Sequence, residues 1–136
     1  MDQARLVSDP IIKIGLATLD DQGRLLVVRK RGGVTFILAG GKPEGDESDV
    51  SCLIRECTEE VAIGIVGAPV YIGTFGAPAA DMVDRQVMVR AYAADIIGDP
   101  VPQAEIEEVH GLDMDAPAVP IADSIRYGLI PAMRNR

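Results

Sequence analysis

The 136-residue chain reads as a single α+β domain, residues 1–136. Three observations predict it. β-rich runs stand on both sides of one strongly patterned segment, that segment carries the apolar spacing of an amphipathic helix, and a four-residue apolar period closes the chain. The length suits one domain with a real core. Hydrophobic residues at 48 % and charged residues at 25 % match an ordinary globular composition.

The elements follow in order. Ile11 to Leu19 and Leu25 to Lys30 are β-rich, and Asp20-Asp21-Gln22-Gly23 between them is a hairpin signal. Thr35 to Leu38 is a short strand entering a glycine loop, marked as loop by Gly41, Pro43 and Gly45. Ser48 is an N-cap with Asp49 in the first turn. Val50, Leu53, Ile54, Cys57 and Val61 then recur at three- and four-residue intervals, which predicts a helix from Ser48 to Ala62. Val66 to Phe75 is extended, with an irregularity or sheet edge at Pro69. Arg85 to Ile97 and Glu105 to Leu112 are further strands, separated by the Gly98–Pro102 loop. After a connection at Pro117–Pro120, Ile121, Ile125, Leu129 and Met133 predict a C-terminal helix that Pro131 kinks or shortens.

Between Gly41 and Ile63 the chain carries seven carboxylates and two basic residues, and four of the carboxylates lie on the predicted helix. Residues three or four apart share a helix face, so Glu56 meets Glu59 and Glu60, and Arg55 lies one turn from Glu59. Like charges at that spacing cost about 0.2–0.5 kcal/mol per pair. Negative charge near the helix C-terminus opposes the helix dipole by roughly 0.3–1 kcal/mol per group. A hard divalent cation would relieve both, since Mg²⁺ takes one or two carboxylates together with substrate phosphates. The competing account of an acidic helix is a solvated face with no ligand. Here the glycine loop and the spacing favour the cation.

The spacing resembles the Nudix box, Gly-x5-Glu-x7-Arg-Glu-(apolar)-x-Glu-Glu-x-Gly-(apolar). Gly41, Glu47, Arg55, Glu56, Cys57, Glu59, Glu60 and Ile63 fall in register with it. The late glycine of the pattern is Ala62 here, and the loop Leu38-Ala39-Gly40-Gly41 lacks the proline that many members carry before the two glycines. The resemblance implies a mixed β-sheet sandwiched between helices. It also implies a MutT-like, Mg²⁺-dependent hydrolase (Mn²⁺ being the alternative ion) that cleaves the diphosphate linkage of a nucleoside diphosphate derivative.

By the same resemblance Glu59, Glu60 and the carbonyl of Gly41 are metal ligands. Glu56 is a further ligand or the base that activates water, and Glu47 contributes to a second metal. Arg55 orients these carboxylates through charge-assisted hydrogen bonds; the alternative for it is a plain surface ion pair. The family's general base sometimes lies beyond the helix. Glu105 is the first candidate, followed by Glu107, Glu108, Asp81 and Asp84, each competing with the role of a solvated acid. His110, the lone histidine, titrates in a suitable range but has no partner in the sequence, and an ordinary strand-end residue is the better account of it.

Arg29, Lys30 and Arg31 end a strand just before the glycine loop, and Arg29 is the residue selected to meet substrate phosphates, with Lys42 beside Gly41 as a second. With no Trp, two Phe and three Tyr, the chain offers little for stacking a nucleobase. Phe36 and Phe75 are expected in the core. The substrate is then held by its diphosphate, or its base by aliphatic side chains.

The net charge of −8 disfavours nucleic acid polymers, which need basic patches. No apolar run approaches the roughly 20 residues of a membrane span, and the N-terminus lacks the apolar core of a signal peptide. Cys52 and Cys57, five apart on the helix, point in different directions, so reduced thiols in a cytoplasmic protein are expected. Many members of the resembled family are homodimers, which sets that expectation here. Two other functions are compatible with the composition: a non-catalytic Nudix-like nucleotide-sensing module, and an interaction protein with an acidic helix. The intact carboxylates and the lack of a basic appendage favour the enzyme over both.

Overall fold

Alternation along the first strand sets the layers of the molecule. In β1 (Ile11–Ala17), Ile14 and Leu16 are wholly buried on one face, and Ala17 is buried on the other. Ile14 and Leu16 pack with Cys52, Leu53, Cys57 and Val61 of α1 (Asp49–Val61). Ala17 belongs instead to a core with Ile125, Leu129 and Ile130 from the C-terminal helix. The sheet is therefore covered by a helix on each face, as the sequence resemblance implied. The computed structural model describes residues 9–78 and 85–135.

The strands are β1, β2 (Leu25–Lys30), β3 (Gly40–Gly41), β4 (Gly64–Pro78), β5 (Gln86–Ile97) and β6 (Ile106–Leu112). Four of them form a mixed sheet in the order β3-β1-β5-β4, in which β1 runs parallel to β5 and the other neighbours are antiparallel. β2 pairs with β6 in a separate two-stranded sheet. Among the described residues no helix is long and apolar enough to cross a membrane. Cys52 and Cys57 are both buried and unpaired.

Three expectations are corrected. The Asp20–Arg24 turn forms, with Asp20 N–H donating to the Arg24 carbonyl at 2.9 Å, yet β1 and β2 do not continue as a hairpin. They touch through the single bridge Leu19–Leu25 and then diverge into different sheets. Thr35–Leu38 makes isolated bridges, Phe36 to Ile121 and Ile37 to Val28, and no strand. The short strand lies further on, at Gly40–Gly41, where the sequence suggested only loop: Gly40 pairs with Gly15 and Gly41 with Ile14.

The remaining elements keep close to expectation. Ser48 caps α1 by accepting from Ser51 N–H at 3.1 Å. β4 is longer than predicted, and its register against β5 shifts between Val66 and Val70, around Pro69. The C-terminal helix opens as a wide π-helical segment, Ser124–Leu129, before α2 (Ile130–Arg134). Pro131 lacks the N–H that would continue the α-helical ladder, and the wider turn lies immediately before it.

Candidate active site

The site is built where the C-terminal half of α1 meets β3. Gly40 has φ +147°, and a β-carbon on it would lie 1.9 Å from the Ile14 carbonyl oxygen. Only glycine lets the chain pass here, and in doing so it aims the Gly40 N–H at Glu60 Oε1, 3.0 Å away. At Gly41 a β-carbon would sit 2.4 Å from the carboxyl carbon of Glu56. The two glycines thus clear the space in which the α1 carboxylates approach the strand. This is the physical use of the glycine pair in the sequence motif.

Arg55 organises the outer side of the site. Its Nε and Nη2 donate to the two oxygens of Glu47 at 2.8 Å each, a bidentate pair. Nη1 donates to Glu56 at 2.7 Å and to Glu59 at 3.4 Å, and Nη2 also reaches the Lys42 carbonyl at 3.1 Å. These partners hold the guanidinium firmly charged, the hydrogen bond to Glu47 contributing most. The same bond lowers the Glu47 carboxyl to about 2. Arg55 therefore bridges the loop and the helix and fixes the rotamer of Glu56.

Glu60 is the buried acid of the site, with 2 % of its surface exposed. Burial raises its pKa to about 7; the Gly40 N–H opposes the shift, and the charges of Glu105 and Glu56 reinforce it. Glu105 arrives on the loop after β5, which closes onto the end of α1. Val101 N–H donates to the Val61 carbonyl at 3.0 Å and Gln103 N–H to the Glu60 carbonyl at 2.9 Å, so the loop satisfies carbonyls that the helix end leaves free. Arg31 N–H then holds the Glu105 carbonyl at 2.8 Å. Among the described residues two non-glycine residues take positive φ, Ala62 at 58° and Ala104 at 53°, and they bracket this closure.

A cavity of about 410 Å³ lies between these pieces, lined by Lys13, Lys30, Gly40, Gly41, Lys42, Pro43, Glu44, Glu56, Glu60 and Glu105. Of the residues selected from the sequence, it gathers Gly41, Lys42, Glu56, Glu60 and Glu105. The others stand apart from its lining. Glu47 is occupied by Arg55, and Glu59 is 56 % exposed with Arg55 as its contact. Arg29 points away, donating to Glu108 at 3.0 Å and to the Gly33 carbonyl at 3.1 Å, with its guanidinium over the Phe36 ring. Its neighbour Lys30 faces the cavity instead, since successive strand residues point to opposite faces.

Among the other base candidates, Glu107 and Glu108 are engaged by Arg29 and Arg31, and Asp81 and Asp84 lie outside the described residues. His110 sits mid-strand opposite Val27, its ring against Phe36. Lys13 was not singled out from the sequence. Its signal was a lone charge within Ile11-Ile12-Lys13-Ile14, an otherwise apolar strand.

Among the described residues no three His, Cys, Asp or Glu side chains already converge as a closed metal cage. The donor set nonetheless suits a hard cation. Glu56 and Glu60 supply two carboxylates, Glu60 receives a single hydrogen bond among the described residues, and the Gly41 carbonyl faces the Cys52 thiol at 3.4 Å with a second lone pair to spare. Mg²⁺ commonly takes only one or two carboxylates from a protein and leaves its other positions to water and phosphate.

Residues 10–133 match the family model described as the NUDIX domain. The chain belongs to the NUDIX family. The resemblance carried by the Gly41–Ile63 motif is thus upheld over nearly the whole chain. Solved structures share the fold at low identity. A MutT NUDIX hydrolase from Burkholderia pseudomallei is 21 % identical with a TM-score of 0.77, covering 90 % of this chain and 97 % of its own. A MutT protein from Methanosarcina mazei Go1 is 20 % identical with a TM-score of 0.75, covering 94 % and 96 %. An ADP-ribose pyrophosphatase from Streptococcus suis 89-1591 is 16 % identical with a TM-score of 0.71, covering 94 % and 93 %. No curated protein matches the chain. As a NUDIX protein it carries the family's box carboxylates in full, with Ala62 in the left-handed conformation where the pattern has glycine.

Proposed function

We propose that this NUDIX protein, a single domain over residues 1–136, is a divalent-metal-dependent hydrolase that cleaves the diphosphate linkage of a nucleoside diphosphate derivative. One observation carries the reading: a buried carboxylate, Glu60, shares a cavity with Glu56, Glu105 and three lysines. Anionic and cationic groups facing one space suit a ligand that is itself a metal–phosphate complex. The fold neighbours, which include MutT proteins and an ADP-ribose pyrophosphatase, agree with a substrate of this class.

In this proposal Glu56, Glu60 and the Gly41 carbonyl would hold a divalent ion, Mg²⁺ with Mn²⁺ as the alternative. Such an ion neutralises phosphate charge and lowers the pKa of bound water. Arg55 acts through other residues, keeping Glu56 turned toward the cavity and spending both oxygens of Glu47 to do so. That geometry favours Glu47 as an anchor for Arg55 over a second ion site. Glu105, held at the rim by its own backbone carbonyl, is positioned to accept a proton from attacking water. Lys42 faces the phosphates, and Lys13 and Lys30 line the same cavity. The homodimer and the cytoplasmic setting expected from the sequence remain part of the proposal.

The test is hydrolysis of a panel of nucleoside diphosphate derivatives with Mg²⁺, read as nucleoside monophosphate formed, separated by chromatography. Wild type should turn over at least one of them, and Glu60→Gln should largely abolish the activity. Binding with no turnover across the panel would assign the protein to nucleotide sensing instead.

A further inference from the structure

The cavity is notable for what its cations lack. Lys13 comes from β1, Lys30 from β2 and Lys42 from the residue after β3, so three separate strands deliver three ammonium groups to one space. Among the described residues none of the three forms an ion pair, whereas Arg29, Arg31 and Arg55 around them all do. Lys13 and Lys30 line the same cavity, both half-buried; the charge of each disfavours the other, and Glu60 opposes this only in part, so an anion arriving between them would be favoured. The lining holds no aromatic ring, and Pro43 is its one apolar side chain. A nucleobase or second sugar would find nothing there to stack on.

We propose that Lys13 and Lys30 clamp a terminal, unsubstituted phosphate, so that the enzyme prefers nucleotides ending in a free polyphosphate, such as nucleoside triphosphates, to diphosphates capped by a second sugar. This deepens the hydrolase reading and rests on it. The carboxylates of α1 and the lysines of β1 and β2 then serve opposite ends of one ligand. The lysines come from two different sheets, at the ends of β1 and β2 remote from the Leu19–Leu25 bridge. The clamp's spacing is therefore set by the fold and not by a mobile side chain alone.

The experiment compares Lys13→Gln and Lys30→Gln with wild type on a nucleoside triphosphate and on a nucleoside diphosphate sugar, with Mg²⁺. Each variant should lose at least about tenfold in kcat/KM on the triphosphate, mainly through KM, and under about threefold on the capped substrate. Lys13→Arg and Lys30→Arg should recover most of the loss, which a packing defect would not allow. Calorimetric titration with a triphosphate whose bridging oxygens are replaced by methylene, added with Mg²⁺, should show the same loss of affinity. Equal losses on both substrates, or unchanged affinity for the analogue, would overturn the clamp. If no substrate is hydrolysed but analogue binding still depends on both lysines, the clamp stands and the hydrolase reading falls. If Lys13→Gln does not fold, Lys30→Gln decides alone.

Discussion

The carboxyl group of Glu56 rests against the α-carbon of Gly41, so close that a methyl group there would lie 2.4 Å from the carboxyl carbon and 2.5 Å from one of its oxygens. Real β-carbons do not approach so near, and Glu56 is already tied to Arg55 on its other side. Gly41→Ala should therefore displace the carboxylate or push β3 from β1. A misplacement of about 1 Å at a reacting centre can cost about 100-fold in rate. The expected result is a fall in kcat of that order, with far-UV circular dichroism unchanged. Full activity in Gly41→Ala would show that Glu56 does no work in the position described.

Arg55 contributes geometry that lysine cannot copy. Its planar fork meets both Glu47 oxygens while a third nitrogen holds Glu56, and an ammonium offers no such spread of donors. Arg55→Lys should keep the charge yet lose activity by roughly 10–100-fold, the range seen when a partner that orients a ligand is removed. Thermal stability should change little, because the ion pairs are partly solvated. Steady-state kinetics beside a thermal melt separates the two effects. A large drop in melting temperature with normal kcat would reassign Arg55 to stability.

The legibility of the fold and of the site came from different sources. α1 could be read because its capping residue and apolar stripe are both local signals, and it was placed within one residue at each end. Gly40–Gly41 could not be read as a strand. Its pairing with β1 depends on a partner distant in sequence, and two glycines carry no side-chain pattern. The divergence of β1 from β2 was hidden for the same reason, since each strand finds its main partner far along the chain. Within the site, the helix spacing located Glu56 and Glu60 but could not show that Arg55 takes up Glu47. The sequence could not tell Arg29 from Lys30: adjacent strand residues face opposite ways, and which face meets the cavity is a tertiary matter. Glu105 is a candidate by resemblance, as an acid beyond the helix, and the Gln103–Glu60 backbone contact is what brings it beside α1.

Ala62 ends α1 at φ 58°, ψ 37°, with its N–H donating to the Thr58 carbonyl. A residue with a β-carbon loses roughly 1–2 kcal/mol in this left-handed region. Glycine avoids that loss but gives back about 0.4–1 kcal/mol through its freer unfolded chain. The balance favours glycine by about 0.5–1 kcal/mol, so Ala62→Gly should raise the melting temperature by a few degrees. Urea melts should show a higher midpoint at an unchanged slope. A lower midpoint would mean that the αL geometry at Ala62 is wrong.

Glu60 gives the protein a pH dependence that a divalent ion should cancel. Its pKa in the fold is raised from 4.5 to about 7, chiefly by burial. The neutral acid is thus the form the metal-free fold prefers. Its stabilising contribution is complete below the unfolded value near 4.5 and is lost as pH rises through about 7. The loss is on the order of 3 kcal/mol at most. Metal-free protein should melt at progressively lower temperature as the buffer goes from about pH 5 to about pH 8, and Glu60→Gln should flatten that slope. Mg²⁺ binds the ionised form and releases the proton, so the gain in melting temperature on adding it should grow over the same range. Differential scanning calorimetry with chelator and with Mg²⁺, for wild type and Glu60→Gln, measures all four curves. Parallel slopes in the two proteins would remove Glu60 as the titrating group, and a Mg²⁺ shift that shrinks with rising pH would remove it as a ligand.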